Sequence, residues 1–296
     1  MTDYLLSCCS TADLSKAHFE ARDIRYICFH FSLDGKTYRD DLGESVPFPE
    51  FYKAMENGAE TRTSQVNISE YVDYFCGLID REEKDILHVC LSSGLSGSYI
   101  SARQAAEQVM ELRPGRRVRV VDSLGASSGY GLLMETLADK RDAGASFEEL
   151  GDWAEQNRLR VHHWFFSTDL KFYIKGGRVS RTAGTIGMLL GICPLLNMDN
   201  EGHLIPRAKL RSKKKVMEEI VHRMEENADG GLDYDGKCFM SHSACYDDAR
   251  AVADMVEKKF PKLNGKVVIN DIGTTIGSHT GPGTVALFFF GKPRID

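Results

Sequence analysis

Four stretches of this 296-residue chain combine hydroxyls, glycines and backbone amides in a way that suits an anion. They are Ser10-Thr11-Ala12-Asp13, Arg62-Thr63-Ser64-Gln65, Ser92-Ser93-Gly94-Leu95-Ser96-Gly97-Ser98, and the run from Gly273 through His279 to Thr284. Amide N–H groups at a helix start, with hydroxyls beside them, can hold a carboxylate or phosphate by hydrogen bonds. Each stretch also has a plainer reading, because Ser and Thr cap helices. None supplies a pair of carboxylates. The Ser92–Ser98 stretch is not a nucleophile elbow, since Ser98 stands where the final glycine belongs. No phosphate-binding P-loop and no H-E-x-x-H motif occurs. A hydrolase built on Ser93 or Ser96 with His279 remains as an alternative, without an evident acid partner.

The other candidate groups are weaker. Lys175-Gly176-Gly177-Arg178 reads either as a phosphate holder or as a helix end with solvated basic neighbours. Arg211 through Lys215 reads as the solvated start of a helix. His162 and His163 adjoin in a strand, so their rings should point to opposite faces and not share a metal. Eight cysteines are present, none in a C-x-x-C pair, and most lie in apolar strand-like runs. That usage predicts buried, reduced thiols, and no metal ligands at the usual spacing.

The elements that would position these groups alternate. Strand-like runs at Tyr4–Cys9, Arg25–Phe31, Ile86–Leu91 and Val118–Val121 are separated by helical patterns at 48–57, 69–78, 98–112, 127–143 and 147–157. This order predicts a mostly parallel sheet with helices on its faces. Asp34-Gly35 predicts a hairpin. Beyond Val161–Ser167 the pattern changes, and Cys193–Met198 and His203–Leu210 flank Asp199-Asn200-Glu201-Gly202 as an antiparallel pair would. Helices at 213–227 and 247–260 then alternate with strands at 237–241, 266–270 and 285–290. The reading is α/β in two domains, 1–158 with a mostly parallel sheet and 159–296 with a mixed sheet. Ligands of such sheets bind beyond the carboxyl ends of strands, where the hydroxyl-rich turns fall.

Composition narrows the class. Hydrophobic residues are 42% and charged residues 27%, ordinary for a globular protein. A net charge of −6 argues against a nucleic-acid partner. Met1 to Tyr4 carries no secretory pattern, and no apolar run approaches the ~20 residues that span a bilayer. A cytoplasmic protein with no transmembrane segment is expected, whose contact with a membrane would be transient.

Taken in order, Ser10-Thr-Ala-Asp13, Thr63-Ser-Gln65, Ser92-Ser-Gly-Leu-Ser-Gly97, Lys175-Gly-Gly-Arg178 and His279-x-Gly-Pro-Gly283 resemble the DegV family over essentially the whole chain. The resemblance implies two α/β domains with a long-chain fatty acid buried between them. It implies no cofactor and no catalysis by this chain, which would be the fatty-acid-binding subunit of bacterial fatty acid kinase. The partner would be a separate catalytic subunit resembling dihydroxyacetone kinases. By motif, Thr63, with Ser64 as its neighbouring alternative, Ser93 and His279 would bind the carboxylate. Arg178 and Arg211 would face the kinase. Ile186, Met188, Leu189, Leu190 and Ile192 would line the acyl tunnel. The chain departs from the family at Cys9, often Asp, at Val66, often Pro, and at Cys193, often Lys. A lipid carrier with no kinase partner is the remaining alternative.

Overall fold

The computed structural model describes residues 3–179 and 192–294. Strand β1 (Tyr4–Cys9) is buried along its whole length and pairs in parallel with β2 (Ile24–Ile27) on one side and β6 (Asp85–Cys90) on the other. β7 (Val118–Asp122) completes a parallel sheet of order β2-β1-β6-β7. Helix α1 (Lys16–Ala21) links β1 to β2, while α3 (Ile68–Glu82) and α4 (Ser98–Leu112) flank the sheet's core. A capping box starts α3: the Asn67 side chain accepts from the Glu70 N–H, and Glu70 answers the Asn67 N–H.

The predicted single strand Arg25–Phe31 is two strands. After β2 the chain leaves the parallel sheet at Cys28–Phe29 and enters β3 (His30–Leu33). The Asp34-Gly35 hairpin then leads into β4 (Lys36–Arg39), as expected. A third strand, β5 (Thr61–Ser64), pairs antiparallel with β3. Thr63 therefore lies on a strand and not in a turn. Helix α2 (Phe48–Glu56) packs Phe51, Tyr52 and Met55 into the small core beneath this sheet.

The second large sheet has the order β10-β9-β8-β13-β11-β12. Its strands are β8 (Val161–Ser167), β9 (Cys193–Met198), β10 (Leu204–Leu210), β11 (Cys238–His242), β12 (Val268–Asp271) and β13 (Thr284–Phe290). The β9–β10 pair is antiparallel, as the sequence suggested, and it is broken by a bulge between Pro206 and Ala208. Proline cannot donate to a ladder, and β10 is an edge strand where that loss is tolerated. Helices α7 (Lys171–Lys175), α8 (Lys213–Asn227) and α9 (Tyr246–Lys259) follow β8, β10 and β11. The predicted Gly273–Thr284 turn contains a short helix, α10 (Thr274–Thr280). Its Thr, Gly and Ser residues are poor helix formers, so tertiary contacts and not propensity hold it.

Helix α5 (Ser127–Asp142) lies between the two large sheets, with α6 (Phe147–Asn157) following it. Both sides of α5 are covered, and even Glu135 and Arg141 are buried. Gly129 allows the close approach, because a Cβ there would meet His163 at 2.2 Å and Phe288 at 2.7 Å. Glu135 joins the halves electrostatically. It binds His18 at 3.0 Å and Arg22 at 3.0 Å from the first half, and Lys237 at 2.6 Å from the second. Burial pushes its carboxyl up, but hydrogen bonds from His18 and Lys237 outweigh that and hold it at about 2.

Because that value lies below the ordinary 4.5, this stabilisation is present above pH 4.5 and is lost as the pH falls toward about 2. Glu135→Gln is expected to cost about 2–3 kcal/mol at pH 7. Urea unfolding at neutral pH and near pH 2 checks it, and a cost that did not shrink in acid would contradict the assignment.

Candidate functional site

Between the sheets lies a cavity of ≈ 550 Å³, a size that accommodates a small-molecule ligand. Its walls come from β5, the turn after β6, the start of α5, the centre of the second sheet and α10. One end is polar, bordered by Thr63, Ser64, Gln65, Ser93, Ser96, Arg178 and His279. The rest is apolar, with Phe165, Ala286 and Phe288 from adjacent strands facing Leu91, Met198 and Ile276.

Each polar residue is held by the fold. On β5, alternation leaves Thr63 half-buried and Ser64 exposed. Thr63 is the one that meets His279, at 2.7 Å between Oγ1 and Nε2. Ser93 sits in the turn between β6 and α4. Its N–H donates to Asp122 Oδ1 at 3.1 Å, and the Leu124 N–H shares that oxygen at 3.0 Å. Asp122, at the end of β7, thus fixes the turn and leaves the Ser93 side chain exposed at the cavity. The neighbouring Ser92 hydroxyl donates to the Gly202 carbonyl at 2.9 Å, which seats the β9–β10 hairpin on this turn. Gly202 has φ +79° and a Cβ there would meet Ser92 Oγ at 2.0 Å, so both conformation and space call for glycine.

His279 is carried by α10, whose start is tied to the first half by two buried carboxylates. Asp13 accepts from the Gly273 N–H at 3.0 Å and from the Ser127 hydroxyl at 2.5 Å. Asp40 accepts from the Thr274 hydroxyl at 2.8 Å and from Ser10 at 3.2 Å. Burial pushes both acids above the usual carboxylate range. The Ser10–Asp13 stretch is therefore a donor-and-acceptor brace for α10 and does not border the cavity.

The His279 imidazole is desolvated, and Arg178 lies close enough to repel a second positive charge. Together they lower it from 6.5 to about 4. At neutral pH it is uncharged and carries one proton. Among the described residues Nδ1 is buried without a hydrogen-bond partner, and Nε2 shares one hydrogen with the Thr63 hydroxyl, the tautomer deciding which of the two donates. When Nε2 carries the proton, the Thr63 hydroxyl keeps its own hydrogen for a ligand in the cavity.

Two predictions about histidine and arginine are refined by the geometry. His162 and His163 do point to opposite faces: His162 bonds the Lys292 carbonyl, and His163 borders the cavity. His163 Nδ1 bonds the Val161 carbonyl at 3.0 Å, Nε2 accepts from the Ala126 N–H at 3.2 Å, and burial keeps the ring neutral. With both nitrogens satisfied it acts as an apolar wall. Arg178 is exposed and also reaches the cavity, anchored by the Gly176 carbonyl at 2.6 Å and the Leu95 carbonyl at 3.3 Å. Arg211 is exposed between β10 and α8 and takes no part in the cavity wall.

The acyl-wall expectation falls mostly on residues that are not described. Ile186, Met188, Leu189 and Leu190 lie outside the described residues. Ile192 is half-buried and does not border the cavity. Among the described residues the apolar wall includes strand-borne Phe165, Ala286 and Phe288, with Phe29 and Leu204. In sequence these read only as core. The hydrolase arrangement is not assembled either, since His279 Nε2 is engaged by Thr63 and its Nδ1 meets no acid.

A parallel and a mixed sheet, with a small antiparallel sheet carrying Thr63, enclose a cavity with a hydroxyl–imidazole end and an apolar body, and define an α/β protein with an internal amphipathic cavity. The chain belongs to the DegV family, whose model, described as an uncharacterised protein family, matches residues 9–292. A DegV domain-containing protein of Clostridium perfringens is 33% identical over 99% of both chains. A fatty-acid-binding DegV family protein from Thermus thermophilus is 26% identical, with TM-score 0.86 over 98% of this chain and 100% of that one. The Fatty Acid Kinase B3 protein of Streptococcus pneumoniae, loaded with linoleic acid, is 20% identical, with TM-score 0.84 over 99% and 100%, and shares the fold. Among the described residues no helix is long and apolar enough to cross a membrane.

Stability contributed by keeping His279 neutral is present above pH 6.5 and is lost as the pH falls toward about 4. An NMR titration of the ligand-free protein should give this ring a midpoint near 4. A midpoint at or above 6.5 would mean that the ring is solvated or already paired with an anion.

Proposed function

We propose that the protein binds a long-chain fatty acid in this cavity, with the acyl chain against the apolar wall and the carboxylate at the Thr63, Ser93 and His279 end. The observation that carries the reading is the division of one cavity into a small hydrogen-bonding end and a large apolar body. Burying ~15 methylenes yields a gross ~12 kcal/mol at ~0.8 kcal/mol each. Ordering of ligand and chain offsets part of that gain. A carboxylate left unpaired would cancel much of the remainder. Donation from Thr63 and Ser93, with Arg178 nearby to balance charge, meets that need. An anion beside His279 also favours its protonated form, so a neutral ring in the empty site can become a charged partner in the filled one.

In this reading the chain is a carrier and not the catalyst. Residues 1–158 and 159–296 form two domains meeting at the cavity, and the protein works in the cytoplasm with a separate kinase subunit. That subunit transfers the terminal phosphoryl group of ATP to a carboxylate oxygen, forming an acyl phosphate and ADP. The exposure of Ser93, Gln65 and Arg178 around the polar end supports such access. Arg178 and Arg211 would contact the kinase, with Arg178 also touching the ligand end.

Solvent extraction of the purified protein followed by mass spectrometry should release close to one fatty acid per chain. Ser93→Ala and Thr63→Val should each weaken binding of added palmitate by about 10–100-fold, the loss of one hydrogen bond to a charged group. An empty extract together with no binding of added fatty acid would overturn the reading. Arg178→Glu and Arg211→Glu should weaken association with a fatty acid kinase subunit. Unchanged association would leave a lipid carrier without that partner.

A further inference from the structure

Beneath the cavity, the ends of β1 and β6 bring Cys9 against His88 and Cys90, two groups about 80 residues further along the chain, and all three are unused by the carrier function. The ligand atoms of Cys9, His88 and Cys90 all lie within 4.8 Å of one another, and all three residues are fully buried. β1 and β6 pair in parallel with Ser7 beside His88 and Cys8 beside Val89. By alternation, Ser7 and Cys9 share one face of the sheet with His88 and Cys90. This is the face covered by α3, whose Tyr71 and Phe75 rings stand edge-on to the His88 ring.

We infer that Cys9, Cys90 and His88 form a buried structural site for a thiophilic d10 metal ion, zinc before any other, with the Tyr71 hydroxyl at the fourth corner. Zinc–sulfur bonds of ~2.3 Å and zinc–nitrogen bonds of ~2.0–2.1 Å, at the tetrahedral angle, place S and N about 3.6 Å apart. Cys9 Sγ and His88 Nε2 are 3.7 Å apart. Tyr71 Oη lies 3.3 Å from Cys9 Sγ and is itself bonded to Ser98 at 2.6 Å. Nδ1 of His88 is engaged by the Ser7 hydroxyl at 2.9 Å, which turns the lone pair of Nε2 toward the thiols, as outer-shell partners of metal-bound histidines do. A set of two thiolates and one imidazole favours zinc or monovalent copper over calcium or magnesium. No solvent path reaches the site, so the ion enters as the chain folds.

Binding breaks the Cys9 and Cys90 S–H bonds, forms two metal–sulfur bonds, one metal–nitrogen bond and one metal–oxygen bond to the neutral Tyr71 hydroxyl, which keeps its proton toward Ser98, and releases two protons to solvent. No redox change is involved. The consequence is mechanical. Cys9 leads directly into the Ser10–Asp13 brace of α10, and Cys90 into the turn bearing Ser93, so the ion would tie together the two strand ends that hold the site.

Elemental analysis of the purified full-length protein should find close to one zinc per chain, or one monovalent copper in its place. The double variant Cys9→Ser/Cys90→Ser and the variant His88→Ala should each lower that content at least tenfold. Since these positions are in the core, the wild-type protein is also unfolded in guanidinium with a chelator and refolded with equimolar zinc chloride. One zinc should be retained and two protons released, read by a pH indicator. Protein that carries no such metal as purified and retains none on refolding would overturn the site, as would variants that keep their zinc. Fatty-acid extraction from the same samples reports on the carrier reading separately.

Discussion

The arrangement depends on burying one helix between two sheets. α5 has no solvent face broad enough to relax into, so the distance between the sheets is set by its diameter and by the small residues along it. Gly129 brings its first turn against His163 and Phe288. The cavity is the space left beside that first turn, where the sheets are still held apart and α5 no longer fills the gap. Glu135, with cations from both halves, adds an electrostatic lock midway along the helix.

The polar end of the cavity follows from how the helix of His279 is anchored. α10 is short and built from residues with little intrinsic helical preference. It persists because Asp13 and Asp40 satisfy its first donors from across the molecule. Two carboxylates at the positive end of a helix are well placed electrostatically, yet their burial makes them weak acids. The same desolvation leaves His279 neutral. The fold thus spends its charges on positioning, and among the described residues only Arg178 brings a charge to the cavity, at its rim, which suits a ligand that is mostly hydrocarbon.

The histidines show how environment and not residue type decides a role. His163 has both nitrogens occupied and behaves as part of the apolar wall. His279 has one nitrogen shared with a hydroxyl and the other bare. His88 has Nδ1 against the Ser7 hydroxyl and Nε2 toward the Cys9 thiol. All three lie in apolar runs or hydroxyl-rich stretches that gave no hint of these differences.

Local signals in the sequence determined most of the elements. Periodicity placed the strands of the parallel sheet and the helices between them, Asp34-Gly35 placed its hairpin, and the Asp199–Gly202 run placed the β9–β10 pair. The order of the hydroxyl-rich motifs was enough to indicate the DegV family and to single out Thr63 and His279, whose direct contact across 216 residues only the structure shows. Tertiary structure alone decided the rest. The Arg25–Phe31 run divides because the chain changes sheets at Cys28–Phe29, and α10 exists because distant carboxylates hold it. Phe165 and Phe288 face a cavity and not a closed core only because α5 ends where it does. Cys9 and Cys90 meet because β1 and β6 are neighbours, a pairing set by strand order. Local patterns record which face of an element is apolar, but which faces meet, and what space remains between them, depends on packing across the whole chain.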